Sequence, residues 1–306
     1  LNRPLVLAIV GPTACGKTEI GLEISKHLPV EIISCDSMQV YKSMPILSQA
    51  PPKSSRIHLV SFLEPSREYS AALFRRDATQ LIREILRRGR VPVLVGGTGL
   101  YLRSLLDGLF ESGVKRSRSD ALRRKLIREQ EKKGGHYLHD KLKAVDPESA
   151  EKIHPNDIRR LVRALEVFYL TKKTMSEQKP NRSGLRDEFT WRIFLLEPER
   201  ADLYERVNKR VDRMILEGLA KEVKKLSFQK LSRTAGMALG FREIRDWQEG
   251  RINLPDAIEN LKKNTRRYAK RQISWFRHEK GIESVAVPPG QPPAQTALEI
   301  LRRISP

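Results

Sequence analysis

Apolar residues come in short unbroken runs early in the chain and in helical stripes further on. The runs Leu5-Val6-Leu7-Ala8-Ile9-Val10, Val30-Glu31-Ile32-Ile33-Ser34-Cys35 and Val91-Pro92-Val93-Leu94-Val95 read as strands, and helical stretches, the first at residues 19–28, separate them up to about Leu106. From residue 120 to 173 the pattern becomes long, charged and amphipathic, with no convincing strand. Trp191-Arg192-Ile193-Phe194-Leu195-Leu196 then restores a strand, bounded upstream by the polar loop at 179–184. Helical patterns cover residues 200–225 and 255–280, and residues 281–306 read as a short edge strand, a proline-rich link and a terminal helix. The expected fold class is α/β, a parallel sheet flanked by helices with an inserted all-helical domain. Residues 1–110 form the first part of the core, 111–190 the insertion and 191–306 the second part with basic C-terminal helices. No internal repeat or low-complexity tract interrupts this order.

Three of the strand ends carry chemistry. After the first comes Gly11-Pro12-Thr13-Ala14-Cys15-Gly16-Lys17-Thr18, a G-x-x-x-x-G-K-T loop between strand and helix, which makes the core P-loop-type. Its glycines let successive N–H groups converge on one anion, Lys17 adds a mobile positive charge, and the helix N-terminus adds a partial one. Thr18 can offer its hydroxyl to a phosphate-bound magnesium ion. Such loops usually hold nucleoside triphosphates, so nucleotide binding, with ATP, is the default. The second strand delivers Asp36-Ser37-Met38-Gln39-Val40-Tyr41. In an open parallel sheet the strand C-termini line the ligand crevice, so Asp36 either accepts a proton or helps organise a metal through water there, or else Asp36 or Ser37 caps the next helix. The third leads into Gly96-Gly97-Thr98-Gly99-Leu100-Tyr101, with Thr98 able to donate to an anion.

Charge sharpens this picture. Lys and Arg number 58 against 37 Asp and Glu, a net charge of +21 in 306 residues, which suits a polyanionic partner. Lys263, Arg267, Lys270 and Arg271 recur at helical spacing on one side of the last long helix, while Leu261, Tyr268 and Trp275 form a second stripe expected to make core contacts. Two cysteines, Cys15 and Cys35, are a poor disulfide framework, so a reducing, cytoplasmic setting is expected. Six histidines show no metal-ligand spacing, no window approaches a membrane span, and the amino end reads as a strand instead of a signal peptide.

These segments together resemble the tRNA dimethylallyltransferases, also called tRNA isopentenyltransferases. The resemblance continues through Tyr69-Ser70, Phe74-Arg75-Arg76-Asp77-Ala78, His154-Pro155-Asn156-Asp157 and Arg160-x-x-Arg163-Ala164-Leu165-Glu166-Val167. Ala238-Leu239-Gly240-Phe241-Arg242-Glu243 and Ala269-Lys270-Arg271-Gln272-Ile273-Ser274-Trp275-Phe276-Arg277 complete an ordered series over nearly the whole chain. It implies that the loop holds dimethylallyl diphosphate instead of ATP, and that the prenyl group passes to the exocyclic amine of the adenosine just 3′ of the anticodon. Under it the diphosphate site comprises Gly11, Pro12, Thr13, Ala14, Cys15, Gly16, Lys17, Thr18, Thr98 and Arg210, with Mg2+ near Thr18. Arg210 is matched through Leu203-x-x-Arg206-Val207-x-x-Arg210-Val211-x-x-Met214, and Asp36, Arg210 and Thr13 are the catalytic set. The tRNA anticodon stem-loop is met by Asp36, Ser37, Met38, Gln39 and Thr98, and by Arg123, Arg159, Arg160 and Arg163 of the insertion. A monomer is expected.

Two features depart from the family pattern. Arg159 stands where Gln is usual, and the connection from Tyr41 to Ile57 is shorter than most. The rival readings are a P-loop small-molecule or nucleotide kinase using ATP, an isopentenyltransferase of free adenylates, and a GTPase-like RNA-binding module. The last requires a guanine-specifying N-K-x-D motif, and the chain has none.

Overall fold

Alternate residues of the first apolar run enter two different cores. In the computed structural model, which describes residues 3–109, 116–178 and 184–304, that run is strand β1 (Leu5–Val10). Val6, Ala8 and Val10 join one buried cluster, and Leu7 and Ile9 join another. A strand covered on both faces needs apolar residues throughout, which is why the run does not alternate. Strands β2 (Val30–Ser34), β3 (Val91–Gly96), β4 (Thr190–Pro198) and β5 (Ile282–Val287) complete a sheet of order β2-β3-β1-β4-β5 among the described residues. Every ladder is parallel. Val10 lies level with Gly96 and Leu195, and Ser34 with Val95, so the C-terminal ends of the first three strands open on one edge of the sheet.

Helices α1 (Lys17–Ile24), α2 (Pro45–Ser48), α3 (Ala71–Arg87) and α4 (Gly99–Leu106) follow the first three strands. Helices α5 (Arg116–Lys133), α6 (Tyr137–Val145), α7 (Pro147–Lys152), α8 (Ile158–Thr171) and α9 (Met175–Gln178) come next. After β4 run α10 (Arg200–Leu216), α11 (Leu219–Ser227), α12 (Phe241–Gln248), α13 (Leu254–Arg277) and, beyond β5, α14 (Pro293–Ile304). Ile20 and Ile24 of α1 and Ala297 and Ile300 of α14 cover one face of the sheet. Phe74, Ile82, Leu102, Val223, Ile244 and Leu261, from α3, α4, α11, α12 and α13, build the core on the other.

The chain separates into two compact units, residues 1–106 with 185–306, and residues 107–184. The second has its own apolar core of Leu126, Leu138, Leu142, Leu161 and Leu165. Residues 185–190, expected in the insertion, belong to the sheet unit: Leu185 N–H donates to Leu105 O at 2.8 Å, and Leu185 and Phe189 are buried in its core. Residues 179–183 of the polar loop lie outside the described residues.

Two helices differ from the sequence pattern, both because of a glycine in the left-handed region. Gly16 (φ 86°) caps α1, which therefore starts at Lys17 instead of 19, and Gly218 (φ 98°) splits the stretch 200–225 into α10 and α11. The short connection after Tyr41 forms α2, whose first amides at Ile46 and Leu47 donate to buried Glu222 at 3.0 and 2.8 Å. Beyond it, His58 bridges Ile33 in parallel and extends the sheet edge.

Candidate active site

The phosphate loop emerges from central β1 and is held from two sides. Thr13 N–H donates to Gln272 Oε1 at 2.8 Å, and Arg210 Nη1 donates to Thr13 Oγ1 at 2.8 Å. Lys17 Nζ donates to Pro12 O at 2.6 Å and lies 3.9 Å from Cys15 Sγ, so its ammonium turns back across the loop. Burial pushes the Cys15 thiol up despite Lys17 and Arg210 beside it. Cys15 is fully enclosed and serves the loop as an apolar filler, not a nucleophile. Thr18 sits in the first turn of α1, partly exposed, with no side-chain partner among the described residues.

Next to the loop, the ends of β2 and β3 come so close that only glycine fits between them. A Cβ on Gly96 would stand 2.1 Å from Cys35 O, one on Gly97 2.1 Å from Gln272 Nε2, and one on Gly99 2.2 Å from the Trp275 ring. The glycine-rich turn is thus a packing requirement imposed by β2 and α13. It brings Thr98 against the Asp36 segment: Ser37 N–H donates to Thr98 Oγ1 at 3.1 Å, and Thr98 N–H to Cys35 O at 3.2 Å.

Asp36 uses one carboxylate oxygen locally, Oδ1 accepting from Met38 N–H at 2.8 Å. Residues 37–40 form turns, so Asp36 closes a turn and caps no helix. Its charge reaches Arg210 and Tyr268. Burial holds the Arg210 guanidinium below its usual range, with Glu19, Cys15 and Asp36 pulling the other way. Gln39 is engaged inside the sheet unit: Ser34 Oγ donates to its Oε1 at 2.7 Å and its Nε2 donates to Gln49 O at 3.2 Å.

Two further residues belong here that no motif spacing indicated. Gln272 joins the two anion turns, since its Nε2 donates to Gly97 O at 2.9 Å while its Oε1 holds Thr13. The available signal was a polar residue on the buried stripe Leu261, Thr265, Ala269, Gln272, Phe276 of α13. Thr265 satisfies itself on Leu261 O at 2.8 Å, whereas Gln272 reaches across the fold. Tyr268, expected as a core contact, is partly exposed one turn earlier. Burial and then the Asp36 charge push its phenol up, against the pull of Arg271 and Gln272. Leu261 and Trp275 do pack on the core, with the Arg103 guanidinium 4.4 Å from the Trp275 ring centre. Lys263, Arg267, Lys270 and Arg271 are exposed.

In the helical unit the four arginines singled out by sequence fall into two pairs. Arg123 grips fully buried Glu166 through Nε and Nη2 at 2.8 and 2.9 Å, Arg163 Nη1 joins it at 2.7 Å, and Ser119 Oγ donates to the same carboxylate. Burial would raise the Glu166 carboxyl, but Arg123, Ser119 and Arg163 outweigh it and hold it below the usual range. Arg159 and Arg160 instead project from the first turn of α8 with exposed side chains, Arg160 Nε lying 3.3 Å from Asp157.

An IPP transferase family model matches residues 39–279, and an isopentenyl transferase model matches residues 4–61. A tRNA dimethylallyltransferase of Carboxydothermus hydrogenoformans is 43% identical over 283 residues, covering 91% of this chain and 90% of the relative. The crystal structure of the full-length tRNA isopentenylpyrophosphate transferase of Bacillus halodurans superposes with a TM-score of 0.71 at 37% identity, over 99% of this chain and 96% of that one. A eukaryotic dimethylallyltransferase captured acting on tRNA gives a TM-score of 0.76 at 31% identity, over 92% of this chain and 74% of that one. With the P-loop core, the strand-end site and relatives of this identity along nearly its full length, the chain belongs to the tRNA dimethylallyltransferase family of IPP transferases.

Proposed function

We infer that the chain moves a dimethylallyl group from dimethylallyl diphosphate to the exocyclic amine of the adenosine 3′ of the anticodon in tRNA. The new bond is nitrogen to allylic carbon; the carbon–oxygen bond to diphosphate breaks, and the amine loses one proton. The observation that carries this reading is the meeting, at one sheet edge, of an anion loop and a carboxylate on the neighbouring turn. The loop amides, Lys17, Thr98 and the Arg210–Thr13 pair suit the negative charge that grows on the departing diphosphate. Asp36 suits the amine: its Oδ1 is fixed by Met38, which orients the carboxylate to accept the proton of a poor nucleophile. Ser37, Met38 and the Gln39 backbone would line the adenosine, the Gln39 side chain being occupied by Ser34 and Gln49.

No three His, Cys, Asp or Glu side chains among the described residues form a protein cage for a metal. A hard-oxygen donor at the loop is the Thr18 hydroxyl, which would help hold Mg2+. When bound, the ion would supply positive charge against the leaving group. Arg159 and Arg160 would hold the anticodon loop, a guanidinium at 159 reaching phosphate or a base edge. Arg123 and Arg163 would contribute through the faces that Glu166 leaves open, each side chain being 37% exposed. Because one chain carries every residue the reaction uses, a monomer suffices. The reduced cysteines suit the cytoplasm, and no helix among the described residues is long and apolar enough to cross a membrane.

Incubation with dimethylallyl diphosphate and undermodified tRNA, followed by nucleoside mass analysis, tests the reading. The expected product is dimethylallyl-adenosine, and Asp36→Asn should lower kcat strongly while tRNA affinity stays within a few-fold. Consumption of ATP on a small acceptor with the tRNA unchanged would overturn it in favour of the kinase alternative, which relatives named for transfer to tRNA do not favour.

A further inference from the structure

Helix α5 carries a second set of cations, distinct from the arginines that sequence resemblance selects. Arg124, Lys125, Arg128 and Lys132, with Ala121, line an open groove of about 470 Å³. At 100° per residue these positions fall within about 100° of the helix circumference. Arg123 points elsewhere, toward Glu166, and Leu126 faces the core of the unit. Arg124, Arg128 and Lys132 have no ion partner among the described residues. Glu129, at the groove's edge beside Lys125, is already engaged by Lys141 at 2.8 Å and by the Tyr137 hydroxyl at 3.2 Å. On α7 of the same unit, by contrast, Lys152 is met by Glu148 at 2.7 Å.

We propose that this face of α5 binds the sugar–phosphate backbone of a base-paired tRNA stem. The proposal rests on the tRNA reading above but names a surface that reading does not use. From Arg124 to Lys132 the row spans about 12 Å, a length over which a duplex presents roughly seven phosphates. The groove lining offers no aromatic ring on which an unpaired base could stack, and no amide or hydroxyl to read a base edge. Its chemistry is therefore that of sequence-independent backbone contact, and the occupant is paired RNA, not a single-stranded loop.

The test is the salt dependence of binding by the full chain, comparing wild type with the combined variant Arg124→Gln, Lys125→Gln, Arg128→Gln and Lys132→Gln. For four backbone contacts the slope of log affinity against log salt should flatten by about 3, with at least a tenfold affinity loss near 0.1 M salt. KM for tRNA should rise with kcat at saturating tRNA unchanged, and an RNA hairpin lacking the target adenosine should show the same loss. Lys152→Gln, which removes a surface cation of the same unit already paired with Glu148, should leave the slope alone. A slope within about 0.5 of wild type overturns the surface, as does a loss confined to single-stranded oligouridylate. If wild type transfers no dimethylallyl group while the slopes still differ, the assigned reaction is wrong and the surface stands. If transfer is intact and the slopes agree, the surface is wrong and the reaction stands.

Discussion

Thr13 shows how much of this site hangs on single side chains from distant parts of the chain. Its amide is held by Gln272 and its hydroxyl by Arg210, 259 and 197 residues away. Replacing Gln272 by leucine would leave the Thr13 amide and the Gly97 carbonyl without these partners, at about 1–3 kcal/mol for each group that stays dry. The expected result for Gln272→Leu is a raised KM for dimethylallyl diphosphate with tRNA affinity unaltered. Lys17→Ala should differ in kind: the fold is unaffected, but a charge-assisted contact to the leaving group is lost, worth about 3 kcal/mol or roughly a hundredfold in kcat. Steady-state kinetics with each substrate varied in turn distinguishes the two. Near-normal turnover of Lys17→Ala would remove the loop from the chemistry.

The turn between β3 and α4 leaves no room for a side chain at three of its glycines. At Gly96 a methyl group would meet the backbone carbonyl of Cys35, not a movable side-chain end, at 2.1 Å. Relief requires β2 and β3 to part at the edge that carries Asp36 and Thr98. Gly96→Ala is therefore expected to destabilise the sheet unit by about 3 kcal/mol or more, read by denaturant titration. At exposed Gly250, whose own Cβ would meet nothing within 4 Å, the same change should act only through its φ of 72° and be milder. Equal effects at both positions would show that contact at Gly96 is relieved without moving the strands. On the far side of the Asp36 segment, Glu222 of α11 fixes α2, and Gln49 at the end of α2 accepts from Gln39, so the short connection after Tyr41 is anchored at both ends.

Each of the two units of the molecule has its own charge logic. The helical unit is organised around Glu166, a buried carboxylate shared by Arg123, Arg163 and Ser119. Because its folded-state pKa is depressed, the stability it contributes is fully present above the ordinary carboxylate pKa and is lost as pH falls through the folded value. At neutral pH Glu166→Gln should destabilise this unit by about 2 kcal/mol, a value below that of a fully buried pair because both arginines are 37% exposed. Hydrogen exchange across residues 107–184 from pH 7 to pH 3 measures this. The gap between wild type and variant should close as pH falls below the usual carboxylate range, and a gap constant with pH would show that the ion pairs contribute nothing. Glu129 and Asp146 are depressed as well, so the Glu166→Gln variant keeps an acid dependence of its own.

The local pattern of the chain was enough to read the strands that bear the site, the phosphate loop between β1 and α1, the Asp36 and Thr98 turns, and an all-helical stretch between them and β4. These are short-range properties: apolar runs, glycine placement and helical period depend on neighbours a few residues apart. Tertiary structure decided which of those pieces meet. The ladders β1·β3 and β2·β3 bring Asp36 to Thr98, and α13 lies where Gln272 can join both anion turns. It turned Tyr268 from an expected core residue into a neighbour of Asp36, and it assigned Arg123 and Arg163 to Glu166 while leaving Arg159 in the open. The physical reason is that amphipathic period encodes which face of an element is buried, but not what it is buried against. That partner is set by strand order and helix packing, through contacts between residues hundreds of positions apart.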